Sequence, residues 1–404
     1  MEPLKDGDPR ELGGYRLVAR LGEGGMGVVY LGIFDGNGRP DGLLASLTPK
    51  FDPYVTGYIK GFDSHGMDFG GDALRLTPWH LIRRAPTAIK TISPRYASDA
   101  SMRERFRREV AAYEKVFFWR HLGLQAAHLQ RDRAFDTADQ HQLTIPGMAE
   151  KIRLIDPPVS GSPMPIAHGE DPVPWFAMQY IPHPTLADLL EERVVFEERD
   201  LFNIFQAANE SLQSINHEFV HRDVKPSNLT YSYYRSPLLR SNSNGSVVLD
   251  FGIARDESNV PLTTVGNVIG TVAYMSPEQI EAKPLEPFQS DLFSLASTVA
   301  SLARGGRSPF EARGSMATML AICTAEPDLT GVPERFAEYI RPCFTKNPSD
   351  RPEMDDYLLP PDWLNAEPHE ESLFSSREAP NLDQLVQDVS SKRWEKALEL
   401  CGLD

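Results

Sequence analysis

The sequence predicts an α+β chain, strand-rich up to about residue 181 and helix-rich after it. Three observations carry this. Tyr15–Tyr30 reads as strand, glycine-rich turn and strand (YRLVARL, GEGGMG, then VVYLG). Trp175–Ile181 (WFAMQYI) is an apolar run of strand length. From Leu186 onward the apolar spacing is mostly helical, broken at His221–Leu229 and at Val247–Glu278.

The elements follow in order. From about Gly32 to Pro86 the composition turns to Gly, Pro, Asp and scattered aromatics without a sustained period, which reads as a long insertion. Thr87–Thr91 (TAIKT) is a short β-type run. Asp99–Val116 carries Phe106, Val110, Tyr113 and Val116 near helical spacing with Arg and Glu between them, an amphipathic helix. His121–Ile155 is mixed polar, and Asp156–Pro174 is rich in Pro and Gly, so a second insertion is expected over about 121–174. After Asp362 the chain becomes acidic and Ser/Pro-rich up to Pro380. A final helix is expected from Asn381, with Leu382, Leu385, Val386, Val389, Ala397 and Leu398 on one face and Gln384 giving a capping-box-like start.

Composition removes several function classes. The 404 residues are 41% apolar and 24% charged, ordinary for a globular protein. With 41 Lys+Arg against 57 Asp+Glu the formal charge is −16, which argues against nucleic acid or an acidic membrane surface as the main partner. Cys323, Cys343 and Cys401 are an odd, widely spaced set without a CxxC pair, which excludes a disulfide framework and fits a reducing cytosol. The longest apolar stretch, around Leu292–Ala303, is too short for a membrane span and carries serines. The start, MEPLKDGDPR, lacks the apolar core of a signal peptide. The expected localisation is cytoplasmic, with no integral membrane segment. Among the ten histidines, His121 and His128 read as partly exposed side chains rather than metal ligands.

Gly22-Glu23-Gly24-Gly25-Met26-Gly27-Val28-Val29 matches G-x-G-x-x-G-x-V. Glycines let the backbone approach phosphate oxygens without a Cβ in the way. A dinucleotide-binding fold needs a helix directly after such glycines. Here the β-branched Val28-Val29 follows, so the glycines join two strands, and the G-x-x-x-x-G-K-[ST] loop is absent. Ala88-Ile89-Lys90 then places a lysine in a strand, where it would be a solvated surface charge unless it has a partner. Glu109 lies nineteen residues on in the amphipathic helix and fits that partner, with Glu104 as its rival.

His221-Arg222-Asp223-Val224-Lys225-Pro226-Ser227-Asn228 is the strongest signal in the chain. A hydroxyl with a pKa far above 7 needs a positioned carboxylate to take its proton, and Asp223 fits. Asn228 supplies a neutral oxygen for a metal ion, and Lys225 a point charge for a transferring phosphoryl group. Asp250-Phe251-Gly252 follows the apolar run Val247–Leu249, and its carboxylate is the hard oxygen ligand that Mg²⁺ prefers. Gly270-Thr271-Val272-Ala273-Tyr274-Met275-Ser276-Pro277-Glu278-Gln279 closes the segment.

With these motifs in this order, the chain resembles the bacterial eukaryotic-like (Hanks-type) serine/threonine protein kinases from about Tyr15 to Pro352, the insertions aside. Further matches are Asp291 in SDLFSLA, Ser308-Pro309-Phe310 and Asn347–Pro352. The resemblance implies a two-lobed kinase fold: a small antiparallel β-rich N-lobe with a C helix, a larger helical C-lobe, and long insertions in the N-lobe. The expected division is an N-terminal extension over 1–14, an N-lobe over 15–181, a C-lobe over 182–360, and an acidic linker with a helix over 361–404. The implied reaction moves the γ-phosphoryl group of ATP to Ser or Thr hydroxyls, with Mg²⁺ or alternatively Mn²⁺ as the ion. Lys225 and Thr271 follow the serine/threonine pattern. Lys90 would reach the α/β-phosphates, with Gly22, Glu23, Gly24, Gly25 and Gly27 around the phosphates, and Asn228 and Asp250 on the metal. Val29 and Ala88 would form the upper wall of the adenine site, Met178 its gatekeeper, and the backbone of Gln179 and Ile181 its edge. Thr230 departs from the family, where a bulky aliphatic floor is usual. In the family the arginine matching Arg351 pairs with the glutamate matching Glu278. Arg222 would answer a phosphate on the activation segment, with Thr263 and Thr264 as candidate acceptors, and a second copy of the chain as partner for phosphorylation in trans. The rival reading is a catalytically weak pseudokinase acting as a scaffold, although none of the catalytic residues is lost. A kinase-like phosphotransferase for small molecules is disfavoured by the intact G-T-x-x-Y-x-[AS]-P-E string.

Overall fold

The computed structural model describes residues 1–24, 27–35, 85–113, 162–163, 165–215, 220–235, 242–250, 272–357 and 382–403. Most of both predicted insertions, with His121 and His128, lies outside them, as do Gly25, Phe251 and Gly252, Thr263, Thr264, Thr271 and Asn381. The described residues fall into two units, the first drawn from Met1–Pro157, Met164–Ile181 and Glu395–Asp404, the second from Pro158–Pro163 and Pro182–Trp394.

The first unit is built on a six-stranded sheet in the order β1-β2-β3-β4-β6-β5. The strands are β1 (Glu11–Leu12), β2 (Tyr15–Glu23), β3 (Gly27–Phe34), β4 (Thr87–Ile92), β5 (Pro165–Gly169) and β6 (Trp175–Gln179), and neighbours pair antiparallel. Side chains alternate across the pleat, so register decides what each face holds. Val28 and Tyr30 of β3, Ile89 of β4 and Trp175 and Ala177 of β6 join one core with Tyr15, Leu17 and Phe34. Lys90 is opposite Val29 and Phe176, and Ala88 is opposite Leu31 and Met178, so these six share the other face. A helix over residues 100–113 covers that face, with Tyr113 against the Phe176 ring at 5.0 Å.

Two parts of this sheet are absent from the sequence reading. β5 lies in the Pro- and Gly-rich stretch read as insertion, and it occupies the sheet edge with a proline at its first position, a place where a missing N–H costs no ladder bond. The N-terminal extension is integrated as well: Glu2 bridges to Arg20, and Asp8 binds the Arg20 guanidinium at 2.7 and 2.5 Å and the Tyr30 hydroxyl at 2.9 Å.

The second unit is helical around Pro287–Ala303, whose residues from Ser290 to Leu302 are all buried. A helix buried all round must hide its polar groups. Ser294 and Thr298 do so by donating to the carbonyls four residues back, and Ser301 to that of Thr298. The helix Glu198–Ile215 packs beside it, with Phe202 and Phe205 in a ring cluster with Phe336, Tyr339 and Tyr357. Between Asn228 and Asp250 lies a two-stranded ribbon, Ser232–Arg235 paired with Asn242–Gly245. Cys343 is buried in this unit and Cys323 half-buried.

The C-terminal helix, Leu382–Cys401, falls partly in each unit. Within the second, Arg393 pairs with Asp188 at 3.1 Å and Ser390 lies 3.2 Å from His183 Nδ1. Within the first, Arg16 donates to the Cys401 carbonyl at 3.3 Å, a cation at the negative end of the helix.

Candidate active site

In the first unit the described glycines of the loop stand at the end of β2 and the start of β3. Gly22 and Glu23 end β2, Gly24 donates its N–H to the Gly27 carbonyl at 2.9 Å, and Gly27 opens β3. A Cβ at Gly27 would stand 2.0 Å from the Thr91 carbonyl oxygen, so only glycine lets β3 and β4 approach there, whereas Gly22 and Gly24 have open space around them. Val29 is half-buried, opposite Lys90. Lys90 Nζ meets Glu109 Oε1 at 2.6 Å, with side-chain exposures of 10% and 4%. Helical spacing explains the choice. Glu109 falls on the buried stripe with Phe106, Val110 and Tyr113, while Glu104 points to solvent beside Arg107 and Arg108. Met178 and Gln179 are buried at the end of β6, and Ile181, just beyond it, is half-buried.

In the second unit the chain 221–228 has few ladder bonds of its own, and side chains hold it. Asp291 accepts the N–H of His221 at 2.7 Å and that of Arg222 at 3.0 Å. Arg222 has a φ of 66°, in the left-handed region that a long side chain rarely adopts, a strain of about 1–3 kcal/mol that persists only where the surroundings over-determine it. Gln279 donates to the Arg222 carbonyl at 3.0 Å. Asn228 Nδ2 donates to the Asp223 carbonyl at 2.9 Å and to its Oδ2 at 3.0 Å, and Lys225 Nζ reaches the same carboxylate at 2.8 Å. A short antiparallel run then brings Asp250 near Asn228: Leu229 bridges Val248, and the Leu249 N–H donates to the Asn228 carbonyl at 2.8 Å. Asp250 itself has a φ of 49°. Burial pushes the His221 imidazole down to about 4.

Thr230 is buried, and its hydroxyl accepts the Val247 N–H at 2.9 Å, while its carbonyl takes the Ser246 hydroxyl at 2.7 Å. Two hydroxyls thus complete a pairing that backbone groups would otherwise close. Glu278 and Arg351 form a two-pronged pair at 2.7 and 2.8 Å. Desolvation works against the Glu278 charge, but Arg351 and the Ser290 hydroxyl outweigh it and hold the carboxyl below its usual range.

Residues 168–363 match the protein kinase domain. Over 359 residues, 89% of this chain, the sequence is 31% identical to a probable serine/threonine-protein kinase, PkwA of Thermomonospora curvata, of which it covers 35%. It is 28% identical to the serine/threonine-protein kinase AfsK of Streptomyces coelicolor, over 88% of this chain and 32% of that one. With the serine/threonine-protein kinase PknA of Corynebacterium glutamicum it shares 27% identity over 67% of this chain and 49% of the relative. The chain carries a protein kinase domain. These relatives are bacterial serine/threonine-protein kinases, and the chain spans from about a third to about a half of their length.

The structure brings together Lys90 with Glu109 in one unit, and Asp223, Lys225 and Asn228 in the other. Two contributors escape the sequence reading. Asp291 is visible there only as a motif match, with nothing to say that it holds the backbone before Asp223. Gln279 was legible only as the fourth residue of Ser276-Pro277-Glu278-Gln279, the spacing of a capping box, and that box is formed. Among the described residues no helix is long and apolar enough to cross a membrane.

Proposed function

We propose that this chain is an ATP-dependent protein serine/threonine kinase. The observation that carries the reading is the Asp223 carboxylate, in contact with Lys225 and Asn228 on a loop whose peptide groups are held from outside. Asp223 takes the proton of a Ser or Thr hydroxyl as that oxygen attacks. Lys225 offsets the charge that gathers on the transferred group. Lys90, fixed by Glu109, holds the α/β-phosphates, and the backbone around Gly22, Gly24 and Gly27 encloses them. Asn228 donates through its nitrogen, and among the described residues its oxygen is reached only by the Ser227 hydroxyl at 3.4 Å. That oxygen with the Asp250 carboxylate makes an all-oxygen donor set that fits Mg²⁺. ATP with Mg²⁺, when bound, supplies the phosphoryl group and neutralises its charge. Val29, Ala88 and Met178 line the adenine site, with the backbone of Gln179 and Ile181 along its edge.

Arg222 is the cation that answers a phosphate on the activation segment, and autophosphorylation at Thr263 or Thr264, in trans by a second copy, supplies that phosphate. The scaffold alternative is separated by one experiment. Wild type and Asp223→Asn are incubated with labelled ATP-Mg²⁺ and a lysate of protein substrates. Transfer is expected to fall by about 10²–10⁴-fold in the variant, the range for a lost general base. No transfer by wild type, with partner binding intact in both, makes the chain a scaffold. Phosphopeptide mapping of the same wild-type sample is expected to find Thr263 or Thr264 modified. Phosphate only in the insertions or the tail removes the activation-segment reading.

A further inference from the structure

Gln279 touches two segments that the proposed chemistry needs in register. Its Oε1 accepts the Ser276 N–H at 2.9 Å and lies 3.2 Å from the Ser276 hydroxyl, and its Nε2 donates to the Arg222 carbonyl at 3.0 Å. A backbone N–H only donates and a carbonyl only accepts, so this network fixes which end of the amide is oxygen. Both contacts belong to one planar group and cannot be shifted independently. Ser276 ends the G-T-x-x-Y-M-S string, and Arg222 is the left-handed residue directly before Asp223.

The peptide groups around Arg222 are held by side chains. Asp291 takes the N–H groups of His221 and Arg222, Asn228 binds the carbonyl of Asp223, and the carbonyl between them, that of Arg222, is the one Gln279 holds. A residue in a sparsely populated conformation stays there only while its neighbours hold both sides. Asp291 holds one side of Arg222, and Gln279 holds the other.

We propose that Gln279 is a positioning residue for phosphoryl transfer, tying the segment that ends at Ser276 to the peptide bond between Arg222 and Asp223. This deepens the kinase reading and rests on it. The segment expected to present the acceptor and the loop carrying the proton acceptor then move as one, so a displaced segment also displaces Asp223.

A merely structural role is available, because Gln279 caps the one-turn helix Pro277–Ile280 through its oxygen. Gln279→Glu separates the two: it keeps an oxygen for the Ser276 N–H and loses the donor to Arg222. With peptide substrate, Gln279→Glu is expected to lower kcat about tenfold, the scale of one lost hydrogen bond, with KM for ATP unchanged. Gln279→Ala is expected to lose at least as much. Hydrogen exchange supplies a readout free of activity: the amides of residues 221–225 are expected to exchange faster in Gln279→Glu than in wild type. Wild-type kcat and exchange in Gln279→Glu, with loss confined to Gln279→Ala, would reduce the residue to a helix cap and overturn the proposal. So would a loss that enters through KM for ATP. If wild type transfers no phosphoryl group, the kinase reading fails by itself, and the exchange comparison still decides whether Gln279 holds the loop.

Discussion

Lys90–Glu109 in the first unit and Arg351–Glu278 in the second are buried pairs of opposite charge, and the two are built differently. In the second unit Arg351 and Glu278 are 0% and 2% exposed, and all five guanidinium N–H groups are used: two on Glu278 and one each on the carbonyls of Thr345, Gln289 and Lys346. The planar fork is fixed in every direction, and the Phe293 ring lies 5.0 Å from it. In the first unit Lys90 is an ammonium on a flexible stem, in contact with Glu109, on a sheet face lined by Val29, Ala88 and Met178. A guanidinium locked on three segments organises a fold. A compact ammonium on a flexible stem can be aimed at a third party. The same net charge arrangement therefore serves architecture in one place and, in the proposed function, chemistry in the other.

The largest effect is expected where the pair is structural. Arg351→Met leaves the Glu278 carboxylate buried without its cation, a loss of about 3–5 kcal/mol in unfolding free energy. Urea unfolding measures it, and activity per folded molecule should be nearly unchanged. A variant that keeps its stability while losing specific activity would reverse the assignment and put this pair in the chemistry.

Lys90→Arg attacks the other side of the comparison. The cation facing Glu109 is kept, so stability should stay within about 1 kcal/mol, the worth of a modest packing change. Phosphoryl transfer should fall about a hundredfold, equivalent to about 2.7 kcal/mol of barrier, because a broad fork cannot replace a compact ammonium at the phosphates. Steady-state kinetics beside thermal unfolding separates the two quantities. Equal transfer by the variant would leave Lys90 a structural cation like Arg351.

The contrast also marks what the sequence could say. GEGGMGVV and HRDVKPSN were legible because the chemistry of each is compressed into one local string, where spacing alone constrains it. The Lys90–Glu109 pair was legible through helical periodicity, which brings Glu109 onto the buried stripe. Asp8 with Arg20, or Arg393 with Asp188, leaves no such trace, since each pair joins polar residues whose neighbours show no period that singles them out. β5 stayed hidden for a related reason: an edge strand needs only a few apolar side chains on its inner face, and PIAHG resembles loop composition.

A pH dependence follows in the second unit. Burial pushes both His221 and His183 from 6.5 down to about 4. Between those values the unfolded chain binds protons that the folded chain refuses, so stability is full above pH 6.5 and is lost as pH falls towards 4. Each histidine should remove about 1.4 kcal/mol per pH unit in that window. Glu278, held below its usual range, does not titrate there. Burial raises Asp200 to about 6, and its proton uptake in the folded state opposes the imidazoles, so the histidine contribution is read from the difference between wild type and variant. Urea unfolding at pH 7 and pH 5 should show His183→Gln losing less stability on acidification than wild type. Parallel losses would mean that His183 accepts a proton in the folded state.

The smallest effect belongs to the exposed counterpart of both buried pairs. Arg393 and Asp188 are 36% and 34% exposed, so water screens their attraction, and such pairs contribute up to about 1 kcal/mol. Asp188 has a second partner as well. Its Oδ2 accepts the Thr185 N–H at 2.7 Å in the capping box of Leu186–Glu191, and that bond survives loss of the arginine. Arg393→Ala should therefore lower the unfolding free energy by less than about 1 kcal/mol at low salt. The difference should shrink further near 1 M salt, where the Debye length is about 3 Å. A loss of several kcal/mol, unmoved by salt, would show that Arg393 holds the C-terminal helix in the way Arg351 holds its surroundings, and that exposure is the wrong measure of which ion pairs build this fold.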